Sequence, residues 1–282
     1  MGIGGDLMWT ELARRMHKKQ NKKVCFIERD GSVRKPDVWL NNPNISFSKK
    51  GSYLIKRSDF KKLPEKMTGD KEIWNTSQHI IKSRCDFYNI QKCKIRSHMY
   101  FTEEEENYIK TIVSTLPKEF IIIEPHSKTN WIDNKLYPFE KWQSVVDSLR
   151  NEIPIVQMSI PGNKVLNNVI NIGSKIRNFH EAALIIKYAK LFIGCEGGLM
   201  HAANAVGTQS IIIFAPMFNP IFTKYANTEA IWVHTNEHAN CLEKNCKKCR
   251  QLMESHDESI ISNRIKLFLR PNYSGSPAFD FP

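Results

Sequence analysis

Leu191-Phe-Ile-Gly-Cys195 runs directly into Glu196-Gly197-Gly198-Leu199-Met200-His201-Ala202-Ala203. The first five residues read as a short buried strand, the two glycines turn the chain, and Leu199–Ala205 reads as a helix. Glycines let backbone N–H groups approach a phosphate with no Cβ in the way. A helix start adds free N–H donors and the positive end of the helix dipole. The segment therefore reads as a seat for a diphosphate, with His201 in the first turn as a further donor and Glu196 turned toward sugar hydroxyls or the nucleoside. The same residues also fit a tight packing turn, with Glu196 as a cap and His201 in the core.

Outward from this unit, apolar runs alternate with amphipathic segments. Downstream lie the strands Ser210–Phe214 and Ile231–His234 and a helix, Ser259–Leu269, which Asp257 can cap. Upstream, Asn178 begins a helix over Phe179–Ala189. Before it come the strands Val169–Ile172 and Ile153–Met158, the helix Pro138–Leu149 and the strand Phe120–Glu124. Trp142, Val145, Val146 and Leu149 share one face of the Pro138 helix. Thr102-Glu-Glu-Glu105 is a capping box that opens a helix from Glu103 to about Leu116. Nearer the start are the strands Ser52–Lys56, Val38–Leu40 and Val24–Glu28, and a helix over Leu7–Lys19. Strands alternating with helices imply parallel sheets. Two such sets, divided near residue 117, predict an α/β protein of two Rossmann-like domains, 1–116 and 117–270. A Pro-, Gly- and Ser-rich tail over 271–282 is expected to be loose. Ligands of such sheets bind beyond the carboxyl ends of the strands, which points to three loops: Gly2–Asp6, Pro125–Lys135 and Glu196–His201.

In the second loop, Ser127 and Thr129 offer hydroxyls and Lys135 a charge, a set suited to a leaving diphosphate. A solvated loop whose Trp131 and Tyr137 cover the core edge is the plainer reading. In the first loop, Gly4 and Gly5 form a turn that presents Asp6 at a helix start. Asp6 can take a proton from an attacking hydroxyl, or simply cap the helix. Cys241, Cys246 and Cys249 could fill three corners of a zinc or iron site, with His234, His238 and His256 as candidates for the fourth. The alternative is a set of free thiols in a basic turn. With seven cysteines and no export signal at Met1–Asp6, reduced thiols and a cytoplasmic setting are expected. No spanning apolar segment is present in the sequence. The formal charge of +12 favours anionic partners such as nucleotides, phosphorylated glycans or an acidic membrane surface. The sequence lacks an aromatic-interleaved RNA-binding signature, so a nucleic-acid partner is disfavoured.

On these residues the chain resembles the ADP-heptose–lipopolysaccharide heptosyltransferases of glycosyltransferase family nine. Three stretches carry the resemblance in order: Gly4-Gly-Asp-Leu7, then Lys135-x-x-Pro138-x-x-x-Trp142, then Glu196-x-Gly-Leu-x-His-x-Ala-Ala on to Pro216. It is good over roughly residues 120–260 and thin over 20–115. The resemblance implies a GT-B fold, two Rossmann-like domains facing a cleft. It implies inverting sugar transfer with no metal essential to catalysis. Heptose or a related sugar would pass from a nucleotide-diphospho-sugar, an ADP-sugar being favoured, to an anionic glycan such as lipopolysaccharide or another surface polysaccharide. Peripheral contact with the inner membrane face would go with that acceptor. Asp6 would be the general base, on the acceptor side with Gly4 and Gly5. Ser127, Thr129, Lys135, Glu196, Gly197, Gly198, Leu199 and His201 would bind the donor. Some relatives that modify proteins carry a cysteine-bound iron. The chain departs from the family pattern in three places. Only Met1–Ile3 precede Gly4 where a full strand is usual, so the first sheet is expected to lack an element or the true start to lie upstream. Glu196 stands where Asp is usual. Gly162-Asn163-Lys164 follows the strand after which the family often has a Glu. The competing reading is a catalytically silent protein that binds a nucleotide or sugar, or one associated with nucleic acid.

Overall fold

The computed structural model describes residues 2–56, 78–127, 134–241, 243 and 245–270; Thr129, Trp131 and the tail 271–282 lie outside the described residues. The chain opens with α1 (Ile3–Leu7) and α2 (Thr10–Gln20). The single helix expected over Leu7–Lys19 is thus broken at Met8-Trp9, where the Thr10 hydroxyl donates back to the Leu7 carbonyl at 2.6 Å. Gly4 and Gly5, expected in a turn, lie inside α1, and Asp6 lies in it too rather than capping it. β1 (Val24–Ile27) and β2 (Tyr53–Lys56) pair in parallel, Val24 opposite Tyr53. The expected strand at Val38–Leu40 is instead a 3-10 turn over Asp37–Trp39. Pro36 before it has no N–H for a ladder, and Trp39 turns inward to donate its indole N–H to the Asp6 carbonyl at 2.9 Å.

α3 (Ile80–Phe87) was not legible in the sequence; its cap is the side chain of His79, which accepts from the Ile81 amide. Cys85, on α3, is joined to Cys93, with Cα atoms 6.2 Å apart. This corrects the expectation of reduced thiols throughout: the chain turns back through a left-handed Asn89, φ 53°, and brings the pair together. α4 (Glu103–Val113) starts with the expected capping box of Thr102 and Glu105.

The remaining elements are β3 (Ile121–Glu124), α5 (Phe139–Leu149), β4 (Ile155–Gln157), β5 (Ile170–Asn171), α6 (Phe179–Tyr188), β6 (Leu191–Cys195), α7 (Gly198–Val206), β7 (Ser210–Phe214), β8 (Thr228–Trp232), α8 (Lys247–Ser255) and α9 (Ser259–Leu269). β8 begins before the expected Ile231, because Thr228 pairs with Ser210 and their hydroxyls meet at 3.0 Å. The six strands β3–β8 form one parallel sheet in the order β5-β4-β3-β6-β7-β8. This is the doubly wound order, with its reversal between β3 and β6.

The alternation of the strands sorts their side chains between two layers. Ile121, Ile123, Ile193, Ile211 and Ile213 face α5 and α9, packing with Trp142, Val145 and Ile265. Ile122, Phe192, Ile212 and Phe214 face α6 and α7, and the same core continues through Leu7, Leu12 and Trp39 of the N-terminal part. α1 packs on α7, which sets the Asp6 segment against the helix that follows β6. No helix among the described residues is long and apolar enough to cross a membrane.

Candidate active site

The reversal between β3 and β6 leaves a crevice at their carboxyl ends, where Glu124 stands opposite Gly194. The loops that leave these two strands carry most of the residues singled out in the sequence. Lys135 Nζ donates to the Glu196 carbonyl at 3.2 Å and lies 3.5 Å from Glu196 Oε2. At Gly197 a Cβ would lie 3.4 Å from Ser127 Oγ and 3.9 Å from Lys135 Nζ. The missing side chain thus leaves a space bordered by a hydroxyl, an ammonium and the first turn of α7. Gly198 has a different reason to be bare, since a Cβ there would meet the Phe179 ring at 3.3 Å and Ile3 at 3.5 Å.

His201 is 2% exposed and sits between two partners. Nδ1 is 2.6 Å from the Tyr225 hydroxyl, which is 2.8 Å from Ser97 Oγ. Nε2 is 4.0 Å from Glu196 Oε1. Burial, helped by the positive field of Lys135 and Arg84, drops the His201 pKa to about 3, so the imidazole is neutral near pH 7. Burial also pushes the Tyr225 phenol above its ordinary range, so Tyr225 keeps its proton. A hydrogen bond donated by Tyr225 to Nδ1 would leave the proton of the neutral ring on Nε2, the nitrogen on the Glu196 side of the crevice. Ser97, from the N-terminal part, is held in turn by Asn204 of α7, whose Oδ1 accepts its amide at 2.8 Å. The network Ser97–Tyr225–His201 was not visible in the sequence; Tyr225 lies between strands β7 and β8 with no motif around it.

Asp6 is placed near, but not open to, this crevice. Asp6 is 2% exposed, and its carboxylate takes a two-pronged bond from Arg34, Nε to Oδ1 and Nη2 to Oδ2, each 2.7 Å. Arg34 also reaches Glu28 at 2.5 Å, and the two acids hold the guanidinium above its usual pKa. Arg84 donates to the Gly5 carbonyl at 3.2 Å. Gly4 touches the other side: a Cβ there would be 2.5 Å from His201 Cδ2. Gly4, Ser127, Lys135, Glu196, Gly197 and His201 therefore come together, with Asp6 one layer behind.

Glu124 ends β3 beneath these loops. Its carboxylate accepts from the His126 amide and the Met158 amide, both at 3.2 Å, and so ties the β3 and β4 loops together. Burial lifts its pKa to about 7. The turn at Gly162-Asn163-Lys164 is pinned to the same place, its Lys164 carbonyl accepting from His126 Nε2 at 2.6 Å. Beyond it a cavity of about 520 Å³ opens between Ser127, Pro138, Lys164 and Arg250 of α8.

The cysteine cluster lies at the start of α8. His238, Cys241, Cys246 and Cys249 offer ligand atoms within 4.8 Å of one another. His238 Nε2 is 3.2 Å from Cys249 Sγ and 3.4 Å from Cys246 Sγ. An edge of a tetrahedral zinc site between S and N ligands is about 3.6 Å, so three thiolates and one imidazole fit a single tetrahedral ion. Of the three histidines considered for the fourth ligand, the structure selects His238. His256 instead meets the Tyr137 hydroxyl at 3.0 Å, and His234 lies against Trp232 with ring centroids 3.8 Å apart.

A doubly wound sheet with glycine, lysine and a helix start at its switch point is the layout of a nucleotide-binding α/β fold, the kind of unit from which GT-B glycosyltransferases are built. The model of glycosyltransferase family 9 (heptosyltransferase) matches residues 43–251, and the chain belongs to that family. Solved structures agree in fold. The family 9 glycosyl transferase from Veillonella parvula is similar at 14% identity and a TM-score of 0.65, with 95% of each chain covered. ADP-heptose lps heptosyltransferase II of E. coli is similar at 11% identity and a TM-score of 0.60, covering 95% of this chain and 96% of that one. The iron-containing dodecameric glycosyltransferase TibC of enterotoxigenic E. coli is similar at 13% identity and a TM-score of 0.64, covering 95% and 74%. TibC is also known in complex with ADP-D-β-D-heptose. No curated protein matches the chain.

Proposed function

We propose that this family 9 enzyme moves heptose or a related sugar, with inversion, from an ADP-sugar to an anionic glycan such as lipopolysaccharide or another surface polysaccharide. The observation that carries the reading is the convergence of Ser127 and Lys135 on the bare backbone of Gly197 at the switch point of the sheet, with Glu196 between Lys135 and His201. Such a set suits charge developing on a leaving diphosphate. Lys135 rests on Glu196, and the phosphates would take the ammonium from it, leaving Glu196 for sugar hydroxyls. A neutral His201 donates one hydrogen bond without adding charge. Thr129 is assigned to the same loop by resemblance. Leu199 contributes through the α7 backbone.

Asp6 is the proposed base, from an acceptor-side domain over residues 1–116 that faces a donor domain over 117–270. Its two oxygens are bound to Arg34, so the role requires one of these bonds to be exchanged for the acceptor hydroxyl. Gly4 brings that segment up to His201, and the neighbouring Gly5 carbonyl is held by Arg84. The enzyme is proposed to work in the cytoplasm, at the inner membrane face where the acceptor is presented. Its Cys/His centre is read as a structural zinc or iron site that takes no part in the transfer step.

A thermal-shift screen tests the donor. A nucleotide sugar at about a hundred times its Kd stabilises by roughly 2.7 kcal/mol, and ADP-sugars are expected to shift the midpoint more than GDP-, UDP- or CMP-sugars. Asp6→Asn is expected to abolish transfer while sparing that shift. Undiminished turnover in Asp6→Asn sinks the base assignment.

A further inference from the structure

Two anchors flank Lys135, and both run to the segment that carries the Cys/His centre. Asn134, 1% exposed, donates from Nδ2 to the Glu243 carbonyl at 2.9 Å. Glu243 lies inside the turn between Cys241 and Cys246. Tyr137, two residues after Lys135, meets His256 at 3.0 Å just past the end of α8, and Lys141 of α5 donates to the His256 carbonyl at 2.7 Å. The 134–137 stretch is therefore tied to the turn that precedes α8 and to the residue that follows it.

The Cys/His turn departs from regular structure through two left-handed asparagines, Asn240 at φ 55° and Asn245 at φ 60°. Among the described residues, the Cys241 amide donates to the Pro216 carbonyl just after β7 at 3.3 Å, and the His238 amide closes a turn on the Thr235 carbonyl at 3.0 Å. Side chains of His238, Cys241, Cys246 and Cys249 converge within the Cys/His turn. A tetrahedral ion holding all four would close the turn and fix where the Glu243 carbonyl points. It would also set the start of α8, from which Arg250, next to Cys249, lines the cavity beside Ser127.

Resting on the metal and donor readings above, we infer that the Cys/His centre is a structural clamp on the donor-phosphate loop. A zinc or iron(II) ion held by His238, Cys241, Cys246 and Cys249 fixes the Glu243 carbonyl, which holds Asn134 and so places Lys135 for the diphosphate. The ion itself never meets the substrate.

The test uses the full chain in three forms: as purified, stripped with a chelator, and refilled with zinc alone or iron(II) alone. Metal content, hydrogen exchange of the 134–137 peptide and the Kd for ADP are measured separately on each. One ion per chain is expected, with faster exchange at 134–137 and about tenfold weaker ADP binding on stripping, and recovery on refilling. Asn134→Ala should reproduce the weaker ADP binding with metal content unchanged, and stripping it should add little more. Should every form lack tight metal, the centre is no metal site and the clamp falls with it. If metal binds but stripping leaves exchange at 134–137 unchanged, the clamp alone is overturned. If exchange rises on stripping while no form binds ADP, the clamp stands and the donor reading fails.

Discussion

Gly4 lies in α1 with its backbone against the His201 ring: a Cβ there would be 2.5 Å from Cδ2 and 2.8 Å from Nε2. Gly4→Ala therefore forces something to move. The ring is poorly placed to do so, because it is buried and Nδ1 is held to Tyr225 at 2.6 Å. The remaining course is for α1 to lift off α7. Overpacking of this kind costs about 1–3 kcal/mol. Alanine in a helix recovers roughly 0.5–1 kcal/mol over glycine. The balance centres on a loss of about 1 kcal/mol, which in a chain of this size lowers Tm by roughly 2–4 °C. Gly2→Ala is the control, since a Cβ at Gly2 meets nothing within 4 Å, and it should stay within about 0.5 kcal/mol of the natural chain. Urea unfolding followed by tryptophan fluorescence reads both. A Gly4→Ala midpoint equal to or above that of the natural chain refutes the packing of Gly4 on His201.

Three further substitutions probe the layers around the site. Burial lifts Glu124 from 4.5 to about 7, so the folded protein holds this proton more tightly than the unfolded chain does. The stability due to it is full below about pH 4.5 and is lost as pH rises through about 7. Glu124→Gln should flatten the decline between about pH 5 and pH 8 by an amount on the order of 3 kcal/mol; parallel pH curves for the two proteins would count against the buried acid. Arg34→Ala leaves the Asp6 carboxylate buried without its partner and should cost about 3–5 kcal/mol by chemical unfolding. Adding Asp6→Asn should recover part of that loss, and simple additivity of the two changes would show that the pair is not coupled. Tyr225→Phe removes the hydroxyl between His201 and Ser97 and should cost about 1–3 kcal/mol; an unchanged unfolding midpoint would mean that the network does not hold His201.

The C-terminal half of the fold was legible because its elements are short, apolar and closely punctuated. Ile121–Glu124, Leu191–Cys195 and Ser210–Phe214 are uninterrupted buried strands, and each is followed by loop or glycine signals. The N-terminal part was harder to read. Leu7–Lys19 keeps one helical period across Met8-Trp9, so the break made by the Thr10 hydroxyl leaves no trace in the pattern. Val38–Leu40 has the composition of a strand but belongs to a turn, because Trp39 is drawn to the Asp6 carbonyl. α8 exposes Lys247, Lys248 and Arg250 and buries Cys249 and Met253, which is too thin a stripe to stand out. Around the crevice, the residues next to strand ends that the sequence singled out lie close together, whereas partners brought in from afar carried no local signal. Arg34 reaches Asp6 across 28 positions, Ser97 reaches Tyr225 across 128, and Asn134 reaches Glu243 across 109. Pairings at such separations are set by topology, and no local spacing encodes them.

The most direct test of the donor site is calorimetric titration of ADP into the natural chain and into Lys135→Ala, with GDP, UDP and CMP as comparisons. Saturable binding that favours ADP, weakened by about tenfold or more (roughly 1.4 kcal/mol or above) in Lys135→Ala, is the expected result. Binding of none of these nucleotides, or equal ADP affinity in the two proteins, would contradict the placement of the donor diphosphate at Lys135 and Gly197.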